Sequence, residues 1–232
     1  MATKSTVTKV EVPEMEVPAA LKRSCTITAP KIGFAEFLVT GTDGPLVIHR
    51  FSEKTKVQMR EKMEAGKTAS SKKDRSPKDM ELAYNDARYI SPEGWDGFNA
   101  SSVRKAMISA CRLVNFKMTL AKMSIFVVAD GSDAKEPQIP LIRIYGKPVR
   151  QDDMARVETG QPYVTVRAAY HDWKAKVRIR WDEDQFTLED ISNLLSRVGA
   201  QVGIGEGRHD SKNSAGMGWG CFTLEKADGA SA

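Results

Sequence analysis

The sequence predicts an α+β protein, with a largely antiparallel sheet and helices packed on one side of it. Three observations carry this. Residues 173 to 181 alternate strictly between apolar Trp173, Ala175, Val177, Ile179 and Trp181 and cationic Lys174, Lys176, Arg178 and Arg180, the period of a half-buried strand. Two segments, 103–114 and 187–198, repeat apolar residues at helical spacing instead. Short apolar runs bounded by Gly, Pro, Asp and Asn lie before, between and after those helices.

In chain order, residues 1–22 are polar and carry Pro13 and Pro18, which reads as a flexible arm ahead of a single domain over 23–226. CTIT and FAEFLVTG read as two short strands, broken by Thr42-Asp43-Gly44-Pro45. PLVIHRFS follows, with Ser52 placed to cap a weakly amphipathic helix over EKTKVQMREKME. At about 64–80, GKTASSKKDRSPKD has neither period nor apolar anchor and reads as a mobile basic loop carrying Lys72, Lys73 and Arg75.

YNDARYISPEGWDGFNASS reads as loop and turn, with Asn99 or Ser101 as a helix cap. In SVRKAMISACRLV the residues Val103, Ala106, Met107, Ala110, Cys111 and Val114 share one face, and Arg104, Lys105 and Arg112 stand outside it. MSIFVVAD then reads as a buried strand, and IPLIRIYGKPVRQDDMARV as a strand broken at Gly146-Lys147-Pro148. VTVRAAY and WKAKVRIRW, separated by His171-Asp172, read as partner strands, which would set Arg167 beside the cationic row. Thr187 and Asp190 form a capping box for LEDISNLLSRVG, whose stripe is Ile191, Leu194, Leu195 and Val198. AQVGI and WGCFTLE read as strands around a glycine cluster, and 227–232 as a frayed tail. Two halves, each with a helix between strands, match a ferredoxin-like or RNA-recognition-type arrangement.

Lys and Arg number 35 against 30 Asp and Glu, and the pI is about 9.0, a balance compatible with a polyanionic partner. Cys25, Cys111 and Cys221 form no CxxC pair and read as free thiols of a reducing cytoplasm. No run of 18 apolar residues predicts a membrane span, no GxxxxGK[ST] predicts nucleotide hydrolysis, and no cofactor or metal is called for.

The four cations of one strand repel one another along about 20 Å at the usual rise per residue. A solvated edge that resists aggregation would explain them. An extended single-stranded RNA or DNA would also relieve the repulsion, since each neutralised phosphate releases counterions. Arg143 and Lys147 add to the basic set.

The glycine cluster, GIGEGRHDSKNSAGMGWGCF at 203–222, spends six of the chain's 17 glycines. A strand rather than a helix follows it, which rules out a dinucleotide fingerprint. Gly205, Gly207, Gly216 and Gly218 would bring bare backbone amides to a ligand, with Arg208 and Lys212 in the bend, unless the bend is simply tight. His49, His171 and His209 are possible general bases for metal-free phosphodiester cleavage, and His49 lies at a strand-to-helix junction. Asp152-Asp153, Asp182-Glu183-Asp184 and Glu189-Asp190 read as loop or capping acids.

The GxGxG, polar insert and GMGWGCF order is similar to the carboxyl-terminal glycine-rich loop of the RAMP superfamily, the repeat-associated proteins of CRISPR effector backbones and guide-processing ribonucleases. GPLVIHRFSEKTK and GFNASSVRKAMISACRL resemble segments of short forms encoded by phages and prophages, and the pattern runs over residues 35–225. The resemblance implies a ferredoxin-like or RNA-recognition fold, RNA contact through the glycine-rich loop, and either self-association along a strand or cleavage by a histidine. The combined reading is a sequence-nonspecific single-strand binder, with a homo-oligomer or filament along the strand as its expected assembly. The alternatives are a metal-independent endoribonuclease using His49 and a structural subunit meeting an acidic protein.

Overall fold

A computed structural model describes residues 28–42, 44–50, 53–64, 79–156, 162–211 and 216–225. The first elements are β1 (Ile32–Gly41), β2 (Leu46–Ile48), α1 (Glu53–Glu64), α2 (Met80–Ala87), β3 (Tyr89–Ile90), β4 (Asp96–Asn99), α3 (Ala100–Ala110) and α4 (Met118–Ser124). They continue with β5 (Ile125–Val128), β6 (Gly131–Ser132), β7 (Pro140–Arg143), β8 (Val149–Arg156), β9 (Pro162–Tyr170), β10 (Lys174–Asp182), α5 (Leu188–Arg197) and β11 (Phe222–Leu224).

The first sheet runs β11-β1-β10-β5, with every neighbour antiparallel. With α3 ahead of β5 and α5 ahead of β11, these strands make the β-α-β-β-α-β order of a ferredoxin-like fold. A second sheet, β2-β9-β8, and a third, β3-β4-β7-β6, complete the α+β architecture.

Alternation in β10 does what its pattern dictates: Ala175, Val177, Ile179 and Trp181 are buried and the intervening residues face out. Burying side chains such as Val177 and Ile179 is worth about 1.5–3 kcal/mol each. They pack with Val103, Met107 and Ala110 of α3 and with Ile191, Leu194 and Leu195 of α5 in one hydrophobic cluster. Asn99 starts α3 by accepting from the Ser101 N–H, and Thr187 starts α5 through a complete capping box with Asp190. With both helices on that side, the other face of the sheet is left open. Among the described residues no helix is long and apolar enough to cross a membrane.

Several elements differ from the sequence expectation. Strands β9 and β10 are not partners: β10 pairs nine residues with β1, and β9 pairs eight with β8. The two-residue spacer His171-Asp172 mimics a hairpin loop, but the carbonyl of buried Trp173 accepts from the Gly41 N–H and the chain crosses from one sheet to another. FAEFLVTG belongs to one long β1, and Cys25, Ser52 and residues 65–78 lie outside the described residues. The stretch expected as loop from Tyr84 onward begins inside α2, which Asp79 caps, and contains β3 and β4. Asn115, at φ 55°, ends the turn after α3 and lets α4 begin, an element the sequence pattern did not reveal. AQVGI is not a strand: Val198–Val202 continues α5 as one π-helical turn that buries both valines.

Candidate nucleic-acid interface

On the open face Lys174, Lys176, Arg178 and Arg180 stand in one row, as their spacing requires. They are not equivalent. Lys174 pairs with Glu225, which Thr40 also reaches. Lys176 Nζ lies 3.1 Å from Glu36 Oε1, and Arg178 pairs with Asp130 while donating to the Ala129 carbonyl at 3.1 Å. Arg180 has no carboxylate in ion-pair reach among the described residues and sits 5.2 Å from the Phe126 ring centre.

Strand register explains that contact. Arg180 lies between Phe34 of β1 and Phe126 of β5, so the three side chains cross the open face as one row. Phe34 is 59% exposed, an unusual position for a phenylalanine on a central strand. Trp173 and Trp181 both face inward, so β10 alone carries no sign of this row. The signal was in β1, where Phe34, Glu36, Leu38 and Thr40 take the outward phase and Ala35, Phe37 and Val39 the inward one.

The glycine cluster is built differently. Gly203, Gly205, Gly207, Gly216, Gly218 and Gly220 all have positive φ, between 66° and 76°. The loop amides turn toward the protein: Ile204 N–H donates to the Gly220 carbonyl, Glu206 to Val47, Met217 and Trp219 to Gly207, and Gly220 to Pro45. A Cβ on Gly220 would sit 1.8 Å from the Ile204 oxygen. Self-packing therefore accounts for the positive-φ glycines, and the N–H groups that alternate with them, at Ile204, Glu206, Met217 and Trp219, are taken up inside the loop and by β2.

The cluster also lies on the helix side of the first sheet. Asp210 accepts from Ser109 of α3 and, at 2.7 Å, from Arg112. The Ser109 hydrogen bond is the main reason its carboxyl sits below the ordinary range; burial opposes the shift and Arg112 reinforces it. Gly205 and Gly216 thus do not share a surface with the cationic row, and the single groove that would join them is not formed. Arg208 folds back to donate to the Gly205 carbonyl at 3.0 Å. Lys72, Lys73, Arg75 and Lys212 lie outside the described residues.

Arg167 joins the glycine cluster rather than β10. It donates to Glu206 at 2.5 Å and to Asp153 at 2.8 Å, and His49 Nδ1 lies 3.4 Å from the other Glu206 oxygen. Burial alone would raise the Glu206 carboxyl; hydrogen bonds from His49 and Arg167 outweigh it and hold the group below the usual range. The sequence offered His49 no acidic partner, and the fold supplies one from far along the chain. His171 is exposed in its turn, and His209 Nδ1 lies 3.7 Å from Cys221 Sγ. Among the described residues no three His, Cys, Asp or Glu side chains come together as a metal site.

No protein-family model matches the chain, and no curated protein matches it. A solved structure does: a chain of the Type III-B Cmr-beta complex bound to cognate target RNA, at 11% identity and a TM-score of 0.44. The match covers 84% of this chain and 60% of that one, so the chain spans less than two thirds of its neighbour's length.

Proposed function

We propose that the chain binds single-stranded nucleic acid, RNA or DNA, without sequence preference, on the open face of its first sheet. The observation that carries this is the row of Phe34, Arg180 and Phe126, which sets an exposed ring beside an uncompensated guanidinium on the open face of the sheet. Every base has a π-face, so such a ring accepts any base, and its stacking is worth about 1–3 kcal/mol. The remaining cations strengthen the reading. Their ion pairs are solvent-exposed and worth about 0–1 kcal/mol each, weak enough for a phosphate to displace the carboxylate. The resemblance of residues 203–222 to RAMP loops points the same way, toward a chain that lies along RNA and self-associates on it.

Fluorescence anisotropy with labelled random RNA and DNA single strands tests the proposal. Binding that weakens steeply as salt rises from about 50 to 200 mM supports it, and no binding at the lower salt overturns it. Cooperative binding that strengthens with strand length, beyond the growth in site number, would establish self-association.

A second reading rests on the contact between His49 and Glu206. A carboxylate at Nδ1 orients an imidazole so that its other nitrogen can take a proton from a ribose hydroxyl, general-base chemistry that requires no metal. Chelator-resistant RNA cleavage that disappears in His49→Ala would establish it. Intact RNA with both wild type and variant would leave binding as the function.

A further inference from the structure

The pairing pattern on the open face directs the bound strand. Three of the four cations on β10 already face carboxylates, whereas Arg180 does not. Beyond Phe126 a second guanidinium is waiting. Arg104 of α3 lies 5.3 Å from the same ring centre and donates to the carbonyls of Ile125 and Lys122. Those bonds place it at the outer edge of β5, next to the end of α4. Phe126 therefore holds two arginines, one from the open face and one from the helix layer, and neither has a carboxylate in ion-pair reach among the described residues.

The sequence around this edge is one-sided. Between Asp96 and Asp130 there is no Asp or Glu, but there are five cations: Arg104, Lys105, Arg112, Lys117 and Lys122. Among the described residues only Arg112 of these has a carboxylate partner, Asp210. Lys122 is exposed, and its backbone carbonyl is the group that Arg104 holds. Positive charge is thus compensated from Lys174 to Arg178 and uncompensated from Arg180 to the edge of β5.

Building on the single-strand-binding reading, we propose that the strand crosses the sheet instead of following β10. One base stacks on Phe34, the adjoining phosphate meets Arg180, and the backbone passes over Phe126 and around the β5 edge to Arg104 and Lys122. Alternate strands of a sheet are about 9.5 Å apart, so Phe34 and Phe126 are separated by little more than one extended nucleotide step. The ligand is a phosphodiester chain with at least one unpaired base. Phe126, covered by guanidinium groups, positions the arginines and is not itself a stacking platform.

The test is anisotropy with a labelled oligouridylate of about 12 nucleotides across the same salt series, comparing Lys122→Ala and Arg104→Ala with Lys174→Ala and Lys176→Ala. On a crossing path, Lys122→Ala and Arg104→Ala each lower the slope of log affinity against log salt by about one, and the two β10 variants stay within about twofold of wild type. Lys122 is exposed, so its variant decides the matter even if Arg104→Ala misfolds. The opposite pattern overturns the crossing path while leaving single-strand binding standing. If wild type does not bind at low salt, both fail, and the basic edge is left to an acidic protein partner.

Discussion

The open face and the glycine-rich loop both looked like ligand sites in the sequence, and they are built on opposite principles. The face is regular backbone whose information lies in side chains: Phe34, Arg180 and Phe126 meet because three strands share a register. The loop is irregular backbone whose information lies in missing side chains, and the N–H groups of Ile204, Glu206, Met217, Trp219 and Gly220 are taken up by the carbonyls of Gly220, Val47, Gly207 and Pro45. A glycine-rich segment is thus a donor array only if its N–H groups have nowhere else to go. Here they do, so the loop should govern stability and the face should govern binding.

Substitutions can separate the two roles. The largest effect is expected at Gly220, where an added Cβ meets the Ile204 carbonyl and φ is 68°. Gly220→Ala should cost about 4 kcal/mol or more in urea unfolding, or prevent folding. A mild effect there would mean that the loop is looser than its packing implies. Glu206→Gln comes next, at about 1–2 kcal/mol, because Arg167 and His49 lose their shared carboxylate.

That second variant also carries a pH signature. The folded carboxyl of Glu206 is depressed, so its contribution is present above the unfolded value of about 4.3 and is lost as pH falls through the lower folded value. Wild type should lose stability more steeply than Glu206→Gln as pH drops below about 4, in denaturation midpoints measured across that range.

On the face, Phe34→Ala should weaken single-strand binding about tenfold while unfolding stability changes by about 0.5 kcal/mol or less. Equal losses of both would merge the two roles and break the comparison. The smallest effect belongs to Glu36→Gln: removing the acid beside Lys176 should change stability by about 0.5 kcal/mol or less and tighten binding slightly.

The legible parts of the fold were those fixed by local periodicity. Thr187 with Asp190, the stripe from Ile191 to Val198, Asn99 ahead of α3 and the alternation of β10 all follow from spacing within one element. What the sequence could not reveal was pairing between elements. The spacer at His171-Asp172 has hairpin length, yet β9 and β10 find longer ladders elsewhere, and this moves Arg167 from the cationic row to Glu206. The same limit hid Glu36, Asp130 and Glu225, three acids remote in sequence that neutralise most of that row. It hid Phe34 as well, because its outward phase matters only once β1 is known to lie against β10.

Arg104 has one more consequence. The last strand of a sheet presents backbone groups on which a strand of another molecule can build, a common route to fibrils. By holding the outward carbonyl of Ile125, the guanidinium denies that template to a neighbour. One side chain thereby links keeping copies apart to recruiting a polyanion, and any substitution there should be followed by light scattering as closely as by affinity.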